Sequence, residues 1–157
     1  MKIQFLSIGK PHEAYVRAGI DDFTKRINNY FFAGWKIISS PKNAASLSES
    51  ELKKQEAKKI IDLLQPLDYV ILLDENGEQL SSIQLANFIQ QKTYDNCKQL
   101  IFLIGGAFGV DEKIKHRANF IWSLSQLVFP HMLVRLILTE QIYRACTILR
   151  NEKYHHI

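Results

Sequence analysis

Cysteine is nearly missing from this 157-residue chain: Cys97 and Cys146 are its only two, far apart and matching no metal-ligand spacing. A disulfide framework is thereby excluded as the source of the fold, and both thiols are expected to be reduced and structural. Long apolar runs are missing too. No stretch approaches the roughly 18 to 20 residues that a membrane helix needs. Met1-Lys2-Ile3-Gln4-Phe5 lacks the charged, apolar, small-residue order of a signal peptide. The expectation is a cytoplasmic protein with no membrane partner. Charge of one sign is scarce as well, since 20 Lys and Arg stand against 16 Asp and Glu. Lys53, Lys54, Lys58 and Lys59 alternate with Glu49, Glu51, Glu56 and Asp62, as on solvated helix faces. This weak excess permits a phosphate-rich partner without requiring one.

What is present fits one domain over residues 1–157. The apolar fraction of 46% is enough for a real core. Lys2 to Ile8 reads as a strand ended by Gly9-Lys10-Pro11. Tyr15, Val16, Ile20, Phe23 and Ile27 then recur at threes and fours, as on an amphipathic helix. A strand from Trp35 to Ser39 and a loop to Leu47 follow. Ser48 with Glu51 opens a polar helix that Pro66 ends, with Leu52, Ile60, Leu63 and Leu64 facing inward. Tyr69 to Leu73 is a continuous apolar run halted by Asp74-Glu75-Asn76-Gly77, and Gln99 to Ile104 is another; both read as strands buried on two faces. Ser81 with Gln84 caps the helix between them. A short helix from Asp111 to Ala118 and a strand from Phe120 to Leu124 complete the alternation. The architecture expected is an α/β sandwich with a mostly parallel sheet. No internal repeat, low-complexity tract or linker interrupts it.

The last helix, from about His131 to Arg150, is apolar around most of its circumference. That exceeds the stripe a helix needs against one sheet and argues for a second surface, with a homodimer favoured.

Ligands of open α/β sheets bind beyond the carboxyl ends of the strands. Here that rule gathers Leu73-Asp74, Gly105-Gly106 and Ser125 to Pro130 on one rim. The glycine spacing is neither the dinucleotide fingerprint nor the P-loop, and Asp111-Glu112 would repel an anion, so a neutral or cationic ligand suits the rim better. The alternative is that Gly105-Gly106 is only a tight turn. His131 either opens the helix or accepts a proton near the rim, and Tyr154-His155-His156 form either an idle tail or a stacking and proton-exchanging group. Arg135, Arg144 and Arg150 either pair on the helix surface or bind phosphates. His131, His155 and His156 lack the spacing of a zinc site, and no metal is expected.

In combination, Leu73-Asp74, Ile104-Gly105-Gly106, Trp122-Ser123-Leu124-Ser125, Phe129-Pro130-His131, Leu133-Val134-Arg135, Glu140-Gln141-Ile142-Tyr143-Arg144-Ala145 and Tyr154-His155 resemble one family. It is the bacterial ribosomal large-subunit pseudouridine N3-methyltransferases of the SPOUT class, and the likeness runs from end to end. The resemblance implies a C-terminal trefoil knot and a homodimer. It also implies S-adenosyl-L-methionine held by Leu73, Gly106, Ser125, Gln126, Leu127, Val128, Phe129 and Pro130. The implied reaction is methyl transfer to N3 of a pseudouridine of 23S rRNA in the large subunit or assembled ribosome. On this likeness His131 or His155 takes the N3 proton, Tyr154 contacts the base, and Arg135 and Arg144 hold RNA phosphate or pyrimidine oxygens. His156-Ile157 stands where the family usually ends in a basic residue. A non-catalytic RNA-binding or ribosome-assembly factor of the same fold is the alternative. A hydrolase using the histidines has no nucleophile motif to support it.

Overall fold

The computed structural model describes residues 1–156, over which strands and helices alternate. The strands are β1 (Lys2–Ile8), β2 (Phe32–Ile38), β3 (Tyr69–Gln79), β4 (Gln99–Ile104) and β5 (Phe120–Ser123). The α-helices are α1 (Ala14–Ile27), α2 (Glu49–Ile61), α3 (Ser82–Tyr94), α4 (Glu112–Arg117) and α5 (His131–Leu149). The strands form one sheet in the order β2-β1-β4-β3-β5, and every pairing is parallel. Parallel neighbours need crossovers, and crossovers cover both faces. This is why β4 carries an unbroken buried run from Leu100 to Ile104.

Alternate residues of each strand feed two cores. Phe5, Ile71 and Phe102 point to the face covered by α1, α3 and α5, where they meet Ile27, Leu85, Ile89, Leu138 and Ile142. Leu6, Val70, Leu72 and Leu103 point the other way, onto Ala57 and Ile60 of α2 and Ile114 of α4. The helix starts follow their caps. Ser81 and Gln84 form a complete capping box, whereas Ser48 Oγ accepts from Glu51 N at 3.1 Å without the return bond.

Several expected boundaries and faces change. β2 begins at Phe32, three residues before Trp35. Tyr15 lies outside the buried stripe of α1, which runs through Val16, Ile20 and Ile27. β3 does not stop at Leu73: a bulge absorbs the next residues, and Glu78 and Gln79 resume pairing with Trp122 and Ser123. Gly77 permits this, because a Cβ there would stand 2.7 Å from the carbonyl carbon and oxygen of Ile121. Helix α5 packs between α1 and α3 as well as on the sheet, so much of its apolar breadth is used within the chain. Breadth alone therefore does not argue for a partner.

Candidate functional site

Where β4 and β5 reach their carboxyl ends and β3 bulges after Leu73, a cavity of about 460 Å³ opens between the glycine turn, that bulge and the segment leading into α5. Ser123 Oγ donates to Ser125 O at 2.8 Å, and Ser125 Oγ accepts from Leu127 N at 3.0 Å, so the segment after β5 is braced by its own hydroxyls. That bracing leaves Leu127 and Val128 70% and 77% exposed beside the cavity, whose lining also includes Phe108, 51% exposed. Apolar side chains held open to water beside a cavity suit a flat, largely apolar ligand group. Asp74, Glu75 and Glu112 supply negative charge around it, and Lys53 and Lys115 positive charge. Lys115 is drawn to Glu112 at 3.2 Å.

Of the residues expected to hold a cofactor, Leu73, Gly106, Ser125, Leu127, Val128 and Phe129 line this cavity, and His131 joins them. Gln126 and Pro130 are not on its wall. Pro130 instead stands at the N-cap position of α5, with φ −56° and ψ 145°. Trp122 also lines the cavity, and its buried indole N–H has no hydrogen-bond partner among the described residues.

The glycine turn has an internal cause. Gly109 N–H donates to Gly106 O at 3.1 Å, and Gly109 adopts a φ of +80°, in the left-handed region. A Cβ on Gly106 would lie 2.6 Å from Glu56 Oε2, so the carboxylate of α2 takes the space a side chain would need. Glu56 is 5% exposed, although its charge suggests a solvated position. One signal was available: Leu52, Glu56 and Ile60 recur at four-residue spacing, which sets the carboxyl in an apolar stripe. Burial pushes the Glu56 carboxyl above its ordinary range.

His131 is half-buried. Burial, and after it the charge of Arg135, hold its imidazole below the usual histidine value, so it is neutral at neutral pH. Arg135 itself lies 1% exposed, in the interior of the chain's fold rather than facing a phosphate. Its guanidinium donates to Ser7 Oγ at 3.0 Å and Lys10 O at 2.8 Å, and meets His12 Nδ1 at 3.3 Å. These contacts fix the start of α5 against the end of β1.

Tyr154 and His155 gather around Arg144 instead. Tyr154 Oη donates to Glu140 Oε1 at 3.0 Å, Arg144 Nε donates to the same oxygen at 3.1 Å, and the guanidinium stands 4.7 Å from the Tyr154 ring centre. His155 Nδ1 lies 3.5 Å from Arg144 Nη1. None of Arg144, Tyr154 and His155 lines the cavity that His131 borders. Arg144 follows His131 by nearly four helical turns, about 20 Å along the axis of α5.

A family profile described as predicted SPOUT methyltransferase matches residues 1–155. The chain is 45% identical to the ribosomal RNA large subunit methyltransferase H of Cytophaga hutchinsonii, over 99% of this chain and 100% of that one. Its identity to the protein of the same name from Flavobacterium johnsoniae is 43%, over 99% of each. Among solved structures, a probable methyltransferase from Bordetella pertussis Tohama I superposes with a TM-score of 0.58 at 10% identity, covering 92% of this chain and 94% of that one. A probable methylase family protein from Haemophilus influenzae Rd KW20 gives 0.56 at 11%, covering 99% of this chain and 70% of the other. At such identities these two likenesses speak for the fold alone. A parallel sheet with a cavity where β4 and β5 end beside the bulge of β3, matched along the chain by the family profile and by near relatives, means that the chain belongs to the SPOUT methyltransferase family.

Proposed function

We propose that the cavity binds S-adenosyl-L-methionine and that the protein methylates N3 of a pseudouridine in 23S rRNA of the large subunit. It does so in the cytoplasm as a homodimer, with its C-terminal segment threaded as a trefoil knot. One observation carries the reading: Leu73, Gly106 and Ser125, Leu127, Val128 and Phe129, distant in sequence, line a single cavity. Its volume lies in the range of cofactor sites, roughly 300 to 1,000 Å³. The apolar mouth suits a purine ring, and the carboxylates of Asp74, Glu75 and Glu112 suit a cationic ligand. The relatives' name supplies the substrate class, ribosomal RNA of the large subunit.

When bound, the cofactor supplies an electrophilic methyl group; what remains for the protein is alignment and removal of the N3 proton. Leu73, Val128 and Phe129, on the cavity wall, would hold the adenosine part of the cofactor. His131, neutral and on the cavity wall, accepts the proton at one ring nitrogen. Arg144, held by Glu140 and stacked on Tyr154, contacts RNA phosphate or a pyrimidine oxygen, with His155 beside it. Arg135 acts indirectly, by keeping α5 and the 9–12 loop in place. The axial separation of His131 and Arg144 supports the homodimer, since one base reaches both groups most simply when a second copy lays its tail over the first copy's cavity.

The test is transfer of labelled methyl from S-adenosyl-L-methionine to large subunits from cells lacking this modification. Counts are expected in the large-subunit RNA and absent from subunits already modified. Equal incorporation into both would overturn the substrate assignment.

A further inference from the structure

Glu56 is a buried carboxyl with no part in the reaction described so far. Among the described residues its one hydrogen bond is a long one, from Ser40 Oγ to Oε1 at 3.4 Å. Lys59, one turn further along α2, gives its ammonium to Ser39 O at 2.8 Å. The other carboxylate oxygen, Oε2, presses on Gly106, and only the missing side chain of that glycine makes room for it. Gly106 is at the same time a wall of the cavity, and Lys53, one turn before Glu56 on α2, is another. The placement is costly for a carboxyl, since a buried group without strong donors loses its hydration. Burial accordingly raises its pKa. A buried charge of this kind is stabilised when an opposite charge arrives, and the fields of such charges persist through a low-dielectric wall better than through water.

We propose that Glu56 is the counter-charge of this cavity: set behind the glycine turn, its carboxylate favours ligands that carry a positive charge at the reacting centre over neutral ones of the same shape. This deepens the cofactor reading and rests on it. A methyl donor is a sulfonium and the spent product is a neutral thioether, so a counter-charge helps the protein retain the donor and release the product. Glu56 is a positioning residue here, acting across the Gly106 backbone rather than by touching the transferred group.

The experiment is isothermal titration of the full chain with three probes. These are S-adenosyl-L-methionine, sinefungin, which carries an amine at the sulfonium position, and S-adenosyl-L-homocysteine, which is neutral there. Glu56→Gln is expected to lower the affinity ratio of each cationic probe to the neutral one by at least about fivefold, as loss of a partly screened charge pair does. S-adenosyl-L-homocysteine should stay within about twofold of its original affinity, because shape and volume are kept. Glu56→Ala gives the same readout should the glutamine variant fail to fold. Equal weakening of all three probes would make Glu56 a structural residue and overturn the proposal, as would an unchanged ratio, and in both cases the cofactor reading stands. Failure of the unaltered protein to bind any probe would overturn the cofactor reading itself, and the proposal with it.

Discussion

Arg135 Nε donates to Ser7 Oγ at 3.0 Å, joining the first turns of α5 to β1 across 128 positions of the chain. The guanidinium is buried, and its hydrogen-bond partners are neutral, so its positive charge is held by hydroxyl, carbonyl and imidazole acceptors. Removing one partner of a buried polar network leaves the others unsatisfied. Arg135→Ala should therefore cost about 2 to 4 kcal/mol, from the stranded acceptors together with the hole left behind. Arg135→Met, of similar volume and uncharged, should cost less, because burying the charge is itself expensive. Urea unfolding midpoints check this, and an alanine variant within about 0.5 kcal/mol of the original would refute the anchoring role.

His131 is expected to accept a proton from the target base. Burial and Arg135 lower its pKa, so the acid limb of kcat/KM should fall below about pH 6.5, the ordinary histidine value. Activity governed by this group is then flat from there to pH 8. Alanine at His131 should abolish the limb and lower turnover by about 10² to 10⁴. Unchanged turnover in a variant with alanine at both His131 and His155 would reject either histidine as the acceptor.

Glu56 should leave a signature in stability against pH. Its folded pKa lies above the unfolded value, near 4.5, so the native state holds the proton more tightly than the unfolded chain does. Its contribution is fully present below pH 4.5 and is lost as pH rises through the folded pKa. Glu56→Gln should remove that decline and raise the neutral-pH melting temperature of the ligand-free protein. A glutamine variant less stable than the original at pH 7 would contradict this.

Two glycines should respond differently to alanine. At Gly77 the new Cβ meets the main chain of Ile121 at 2.7 Å, where nothing can swing aside; at Gly106 it meets the end of the Glu56 side chain. Gly77→Ala should cost about 1 to 3 kcal/mol, and Gly106→Ala less, with ligand binding lost in its place. Paired unfolding and titration measurements separate the two outcomes. Equal stability loss in both would refute the distinction.

The sheet was legible in the sequence wherever burial on both faces leaves a continuous apolar run, as in the first part of β3 and in β4. The cavity was legible because the carboxyl ends of parallel strands are where such sheets bind ligands, which picked out Leu73-Asp74, Gly105-Gly106 and Ser125 to Pro130, all of them on its wall except Gln126 and Pro130. The continuation of β3 was not, since it depends on Gly77 passing close to a strand more than forty residues away. Arg135 looked like a surface cation because its partners lie at the far end of the chain. The placing of Tyr154 beside Glu140 and Tyr143 follows from how the tail folds back along α5, and that is decided by packing rather than by any local pattern.

The proposed reaction modifies one kind of nucleoside. Large subunits lacking the modification, incubated with the protein and S-adenosyl-L-methionine bearing a labelled methyl group, can be digested to nucleosides and separated against standards. Label eluting with N3-methylpseudouridine is the result predicted; label in any other nucleoside, or in none, would contradict it.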